Sequence, residues 1–391
     1  MKSLLVSTHT PVLSSGRAVR TYGIARALAA RGDGVDLLYQ RFEGDEPDVR
    51  FGAIEGCVMH EVLARRTPRR ALRYARALAD GVPRSLARGV TPELGAAAAR
   101  LADDPERDLI VADGPIATSA LSGLWRRRGV IYNSHNFESG FRHEPGMRET
   151  GSPERLRAFE RGLLAGAAES WMVSHKDMDS ARELYPSARL RYMPNVVDVS
   201  SIVPVEPQPQ ARRAVFVANF AYAPNQSALR FLLDEVLPRL WSQLPDARLS
   251  LAGGGLEGFD LSDSRIETHG FVRELETVYS EASCAVVPLL LGGGTPLKLV
   301  EALAYGLPLV ATPRAVAGVE VVDGEHCIVA DGGVAVADAI ARVMREGGAQ
   351  IARRGRELAE REYSIETLER LLEELPAGGP SAPGGGAEAQ H

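Results

Sequence analysis

"GGGTPLKLVEALAYGLPLVAT", residues 292–312, follows the apolar run "VVPLLL" (286–291) and reads as a glycine turn, a short helix and a second strand. Thr295 suits the helix cap, Pro296 the first helical position, and Gly306 with Pro308 the close. Lys298 then stands in the first turn, beside unpaired backbone N–H groups, where a lone cation costs roughly 0.3–1 kcal/mol. An anion docked at the same place reverses that sign, and the three glycines let its oxygens approach the backbone. The plainer alternative is a pair between Lys298 and Glu301, three residues on and on the same face. Glu301, one turn deeper, also has the chemistry to accept hydrogen bonds from both hydroxyls of a ribose. Phosphate and ribose together make a nucleotide.

The rest of the chain frames this reading. Of 45 basic residues only Lys2, Lys176 and Lys298 are lysines, which leaves 42 arginines. In so arginine-biased a chain, a surviving lysine suggests that an ammonium is needed there. The 391 residues exceed one ordinary core, and 45% hydrophobic with 25% charged residues is a globular composition. A net charge of −6 and a pI near 5.9 argue against nucleic acid as the main partner. Cys57, Cys284 and Cys327 are scattered, as expected of a reducing compartment rather than a disulfide framework or zinc site. No run approaches the ~18 apolar residues of a membrane span. The expectation is a cytoplasmic protein.

Strand-like runs alternate with helical stretches twice over, which predicts parallel sheets covered on both faces. "SLLVST" (3–8), "GVDLLY" (34–39), "DLIVADG" (108–114), "GVIYNSHN" (129–136) and "SWMVS" (170–174) form the first series. "RAVFVANF", "RLSLAGG", "RIETHGF", "CAVVPLL" and "PLVAT" form the second, after the proline-dense linker "YMPNVVDVSSIVPVEPQPQ" (192–210). The expected domains are 1–195 and 196–358, with a helix at 359–375 returning to the first domain and a disordered Gly/Pro/Ala-rich tail at 376–391.

Two motifs point elsewhere and are set aside. "LAGGGLEG" holds a GxGxxG at Gly253, Gly255 and Gly258, but a turn and another strand follow it instead of the helix a dinucleotide needs. In "KDMD" (176–179), Asp177 and Asp179 sit after the cap Ser174, and residues two apart on a helix diverge too far to chelate a metal.

Taken together, "GGGTPLKLVEALAYGLPLVAT", "SSGRAVRTYGIARALAARG", "YNSHNFES", "MPNVVD", "FVANFAYAPNQSALRFLLDEVLPRL", "LSLAGGG" and "HGFV" resemble, in order and spacing, the GT-B glycosyltransferases of the large family 4 (group 1). The resemblance covers nearly the whole chain. It implies an α/β GT-B architecture: two Rossmann-like αβα domains facing each other across a cleft, the first for the acceptor and the second for the donor. It also implies transfer of a sugar from a nucleoside diphosphate sugar, with retention, without metal and with no cofactor beyond that co-substrate, to a small-molecule or glycan acceptor.

Catalytic roles fall on His135 and Lys298. Donor contacts fall on Gly16, Asn219, Gly270, Phe271, Val272, Gly292, Gly293, Gly294, Thr295, Lys298 and Glu301. Arg20 and Glu138 are acceptor candidates. Gly16 read alone is a turn glycine, Gly270–Val272 a tight strand exit, and His135 a strand-end histidine with a structural role; these alternatives stay open. The family's first glutamate falls on Gly293, and its Arg and Lys phosphate ligands are replaced by the region of Asn219 and Asn225. These departures permit two other readings, a non-catalytic nucleotide-sugar binder or partner subunit, or an epimerase of the same fold. The segment "LARRTPRRALRYARALADGVPRSLARG" (63–89) carries eight arginines against Asp80. It reads as a solvated helix face, or as a contact for an anionic acceptor or the inner face of a membrane.

Overall fold

In β1 (Lys2–Ser7) every residue but the first is buried, as a parallel strand covered on both faces requires. The computed structural model describes residues 1–13, 15–64, 68–79, 87, 91–125, 128–140, 152–376 and 379–380. These fall into two compact units. Among the described residues, one takes in Met1–Gly140, 152–195 and the chain from Ile365 onward; the other spans Val196–Ser364.

The first unit pairs β1 with β2 (Gly34–Arg41), β3 (Cys57–Leu63), β4 (Arg107–Asp113), β5 (Ile131–Asn133), β6 (Glu169–Met172) and β7 (Leu190–Tyr192). All run parallel in the order β3-β2-β1-β4-β5-β6-β7. The order reverses between β1 and β4, and at such a switch point the carboxyl ends of the strands open into a crevice. The helix Gly16–Ala30 follows β1; Ser15 caps it by accepting from the Ala18 amide, and Gly32 closes it at φ +83°.

The second unit repeats the plan with β8 (Arg213–Val217), β9 (Arg248–Ala252), β10 (Ile266–Gly270), β11 (Cys284–Val287), β12 (Leu309–Ala311) and β13 (Ile328–Val329). Its order is β10-β9-β8-β11-β12-β13, with the reversal between β8 and β11. Phe216, Leu251, Val286, Leu299, Leu303 and Ile340 lie in one continuous core.

The 359–375 stretch is not one helix. Ala349–Glu362 ends at Tyr363, and Ile365–Glu373 begins two residues later. Tyr363 makes the break: it is fully buried, its hydroxyl accepts from the Glu320 amide at 2.7 Å, and its carbonyl accepts from the Val197 amide at 3.0 Å. Beyond it, Ile365–Glu373 lies along Gly16–Ala30, where Arg31 Nη1 donates to Leu372 O at 2.5 Å. Three strands escaped the sequence pattern. β3 is a half-exposed edge, β7 lies partly in the stretch read as linker, and β13 has only two residues.

Within the basic segment, Pro68–Ala79 is helical, while 65–67, 80–86 and 88–89 lie outside the described residues, as does most of the 376–391 tail. Among the described residues no helix is long and apolar enough to cross a membrane.

Candidate functional site

The glycine turn leaves β11 and enters the helix Leu297–Ala304 one residue later than the sequence suggested. Pro296 occupies the cap position, with no side-chain cap bond. Thr295 therefore does not cap: its hydroxyl is buried and donates to Gly318 O at 3.1 Å, anchoring the turn to the segment behind it. Lys298 remains in the first turn. Among the described residues the Leu297 and Lys298 amides have no carbonyl partner, whereas those of Leu299 and Val300 reach Pro296 O at 2.9 and 3.4 Å. Gly292 and Gly294 hold φ of +110° and +70°, which favour glycine.

The Lys298 ammonium is not paired with Glu301. It donates a short hydrogen bond to Asn225 Oδ1 and lies 5.6 Å from the centroid of the Phe216 ring. Burial lowers its pKa to about 8, against the upward pull of Glu301. Burial likewise raises Glu301 above the usual carboxylate range, with Lys298 pulling it down. Asn225 is buried in the helix Ala223–Phe231, and its Nδ2 donates to Asn219 O at 2.7 Å. Asn219 is exposed, and its Oδ1 accepts from the Ala221 amide at 3.0 Å. Of the two asparagines, Asn225 touches the lysine and Asn219 shapes its own loop.

Two glycines of the GxGxxG serve packing. A Cβ on Gly253 would fall 1.8 Å from Ala218 O, and one on Gly255 would fall 2.3 Å from the Ala221 amide nitrogen. The β9 exit thus lies directly against the β8 exit that leads to Asn225. At the end of β10, Gly270 takes φ +62°; Phe271 is 70% exposed, while Val272 packs on the core.

In the first unit, His135 lies just past β5 and its Nε2 is 2.8 Å from Asp113 Oδ1, at the end of β4. Asp113 also accepts from Thr21 Oγ1 at 2.6 Å and Asn133 Nδ2 at 2.8 Å. Burial pushes this carboxyl up, yet His135, His9 and the Thr21 hydroxyl hold it well below its ordinary value. Gly114 faces the imidazole, where a Cβ would sit 3.0 Å from His135 Cε1. A carboxylate holding Nε2–H leaves Nδ1 with the lone pair, the arrangement by which carboxylates orient imidazoles in metal and catalytic sites.

Arg20 is not available to an acceptor. It is 2% exposed; Nε and Nη2 donate to Asn133 Oδ1 at 3.0 and 2.6 Å, and Nη1 donates to Met193 O, Pro194 O and Asn195 Oδ1. It therefore ties the 16–30 helix to "MPN" at the end of the unit. Burial lowers its pKa to about 10, with Asp113 opposing. Glu138 is also withdrawn, at 1% exposure in the short turn Glu138–Gly140, and its amide donates to Glu160 Oε1 at 2.5 Å. Gly16 is exposed, the first residue of its helix. The two aspartates of "KDMD" diverge as expected. Asp177 accepts from the Phe137 amide at 3.3 Å, and Asp179 pairs outward with Arg182 at 3.0 Å. Sequence reasoning missed Asp113, and His9 with it, although both stand at strand carboxyl ends like His135.

Two family profiles match the chain: "Glycosyl transferase 4-like domain" over residues 15–196 and "Glycosyl transferases group 1" over residues 211–346. No curated protein matches it in sequence. Among solved structures it is similar to sucrose-phosphate synthase from Thermosynechococcus elongatus, with TM-score 0.73 and 18% identity over 95% of this chain and 98% of that one. It is similar to HepE of Anabaena in complex with UDP and glucose, with TM-score 0.65 and 15% identity over 96% and 98%. It is similar also to a TarM mutant of S. aureus in complex with fondaparinux, α-GlcNAc-glycerol and UDP, with TM-score 0.71 and 9% identity over 95% and 99%. At such identities the likeness speaks for the fold, which is GT-B. The two profiles together span most of the chain, and it belongs to the group 1 glycosyltransferases.

Proposed function

We propose that the protein transfers a sugar from a nucleoside diphosphate sugar to a hydroxyl of a small-molecule or glycan acceptor, with retention and without a metal ion. UDP is the first nucleotide to try, since the HepE and TarM structures are both complexes with UDP. One observation carries the reading most: the Lys298 ammonium, partly buried beside first-turn amides that meet no backbone carbonyl among the described residues, has among those residues only the neutral Asn225 as a hydrogen-bond partner. A diphosphate supplies the missing negative charge. It would lie against the 292–298 backbone and Lys298, with Glu301 on the ribose and the backbone of Phe271 and Val272 at the edge of the base. Cleaving the anomeric C–O bond leaves charge on the β-phosphate, and fixed amides with a desolvated ammonium stabilise charge as it grows. His135, oriented by Asp113, would take a hydroxyl of the transferred sugar or of the acceptor.

The test is calorimetry with UDP, GDP, ADP and dTDP beside the matching nucleosides. Lys298→Ala should weaken the preferred diphosphate by roughly ten- to a hundredfold, the worth of one charge-assisted hydrogen bond, and leave the nucleoside within twofold. Equal losses for both would remove the phosphate contact from the account.

A further inference from the structure

A second imidazole stands beside His135. The His9 ring, two residues past β1, meets it edge-on with centroids 6.2 Å apart and planes at 73°. His9 Nδ1 is 3.0 Å from Ser7 Oγ, while its Nε2 is sealed from solvent with no hydrogen-bond partner among the described residues. On the other ring, Asp113 takes Nε2 and no described residue takes Nδ1. Each imidazole therefore keeps one nitrogen uncommitted. The two histidines and Gly114 follow β1, β5 and β4, which lie side by side in the sheet with β4 in the middle, at the end where open α/β sheets bind ligands.

Sealed polar nitrogens without partners are rare in folded proteins, because their lost hydration is not repaid. Charge decides which ligand would repay it. Burial drives the His9 pKa down to about 4, more than Asp113 restores, so this ring is neutral at pH 7. A neutral imidazole near a buried carboxylate is a poor host for phosphate or carboxylate, which call for cationic donors. A hydroxyl both donates and accepts, so it fits a ring nitrogen in either tautomer. We propose that His9 and His135 together form a subsite for a sugar hydroxyl, with His9 a substrate-contacting residue in its own right. The proposal rests on the glycosyltransferase reading, and the hydroxyl belongs either to the donor's sugar or to a sugar acceptor.

The experiment uses the full chain with 15N-labelled histidine rings, as wild type and as His9→Phe. The probes are UDP, GDP, ADP and dTDP, their glucose conjugates, and the methyl α-glycosides of glucose, galactose and mannose. The His9 ring signals should move with a glucose conjugate but not with its bare diphosphate if the donor is the source, or with a methyl glycoside if the acceptor is. His9→Phe should weaken that ligand tenfold or more and leave the bare diphosphate within twofold; His9→Asn serves if the first variant is unfolded by circular dichroism. Saturation by a sugar ligand with the His9 signals unmoved, or undiminished affinity in the variants, overturns the proposal. If no nucleotide binds the wild type, the donor reading fails by itself. The methyl glycosides then decide: a moved His9 signal sustains the subsite, and three silent titrations end it.

Discussion

At Lys298 the physical chemistry is that of an ammonium desolvated before its ligand arrives. Its pKa near 8 makes binding pH-dependent with a definite sign. The complex requires the protonated lysine and raises its pKa, so diphosphate affinity should be near its maximum at pH 7 and down about twofold at pH 8. It should then fall by up to about tenfold per unit as the free lysine loses its proton. Lys298→Arg should remove that fall, which calorimetry across pH 7–10 would show. Arg20 gives the opposite expectation. Its donors are spent indoors, so Arg20→Met should cost about 2–4 kcal/mol of stability and leave diphosphate affinity unchanged in the folded fraction. Denaturant titration and calorimetry on one preparation check both halves. The residue scale is also where the sequence was least legible. It marked Lys298 as misplaced but gave Arg20 to the acceptor, because a side chain whose partners are Asn133 and residues 193–195, more than a hundred positions away, leaves no local signal.

Elements show what the glycine motifs are for. Gly253→Ala must push a Cβ onto Ala218 O at φ +132°, and about 3 kcal/mol or more should be lost. Gly258 faces open space at φ +91°, so Gly258→Ala should cost only about 1–2 kcal/mol. Chemical denaturation of the two variants separates packing from a shared nucleotide role, which would make their binding defects alike. In the first unit, Glu160 caps the 138–140 turn by accepting from the Glu138 and Ser139 amides at 2.5 and 2.9 Å. Burial nevertheless raises its pKa to about 7, and that of nearby Asp177 to about 6. A carboxyl whose folded pKa lies above its unfolded value stabilises fully below the unfolded value and loses that contribution as pH rises through the folded one. Unit 1 should therefore lose on the order of a few kcal/mol between pH 4 and pH 8, and Glu160→Gln should flatten the curve. The long apolar strands β1, β2 and β4 were plain from their runs. β3, β7 and β13 were not, since an exposed edge and segments of two or three residues carry too little periodicity.

For the whole molecule, the order of motifs was the most legible feature, because each αβ step needs its strand, turn and helix in sequence whatever the side chains. The break at Tyr363–Ser364 was hidden, since a buried tyrosine bonded to the Glu320 amide is a tertiary fact. Its consequence is testable. Ile365, Leu368 and Leu372 are at most 2% exposed, each worth about 1.5–3 kcal/mol of burial. A chain stopped at Ser364 should lose amide protection in 1–195 and keep it in 196–364 by hydrogen exchange. The two units are similar in plan, yet the sites differ in kind: a cationic amide turn in one, and an imidazole–carboxylate cluster in the other. The proposed function gives the first to the diphosphate and the second to sugar hydroxyls.

The most direct measurement is a crystal structure with UDP, or with whichever diphosphate binds tightest. The account predicts phosphate oxygens on the Leu297 and Lys298 amides, with Lys298 Nζ moved from Asn225 Oδ1 onto the β-phosphate. A diphosphate bound elsewhere, with the ammonium still on Asn225, would contradict it.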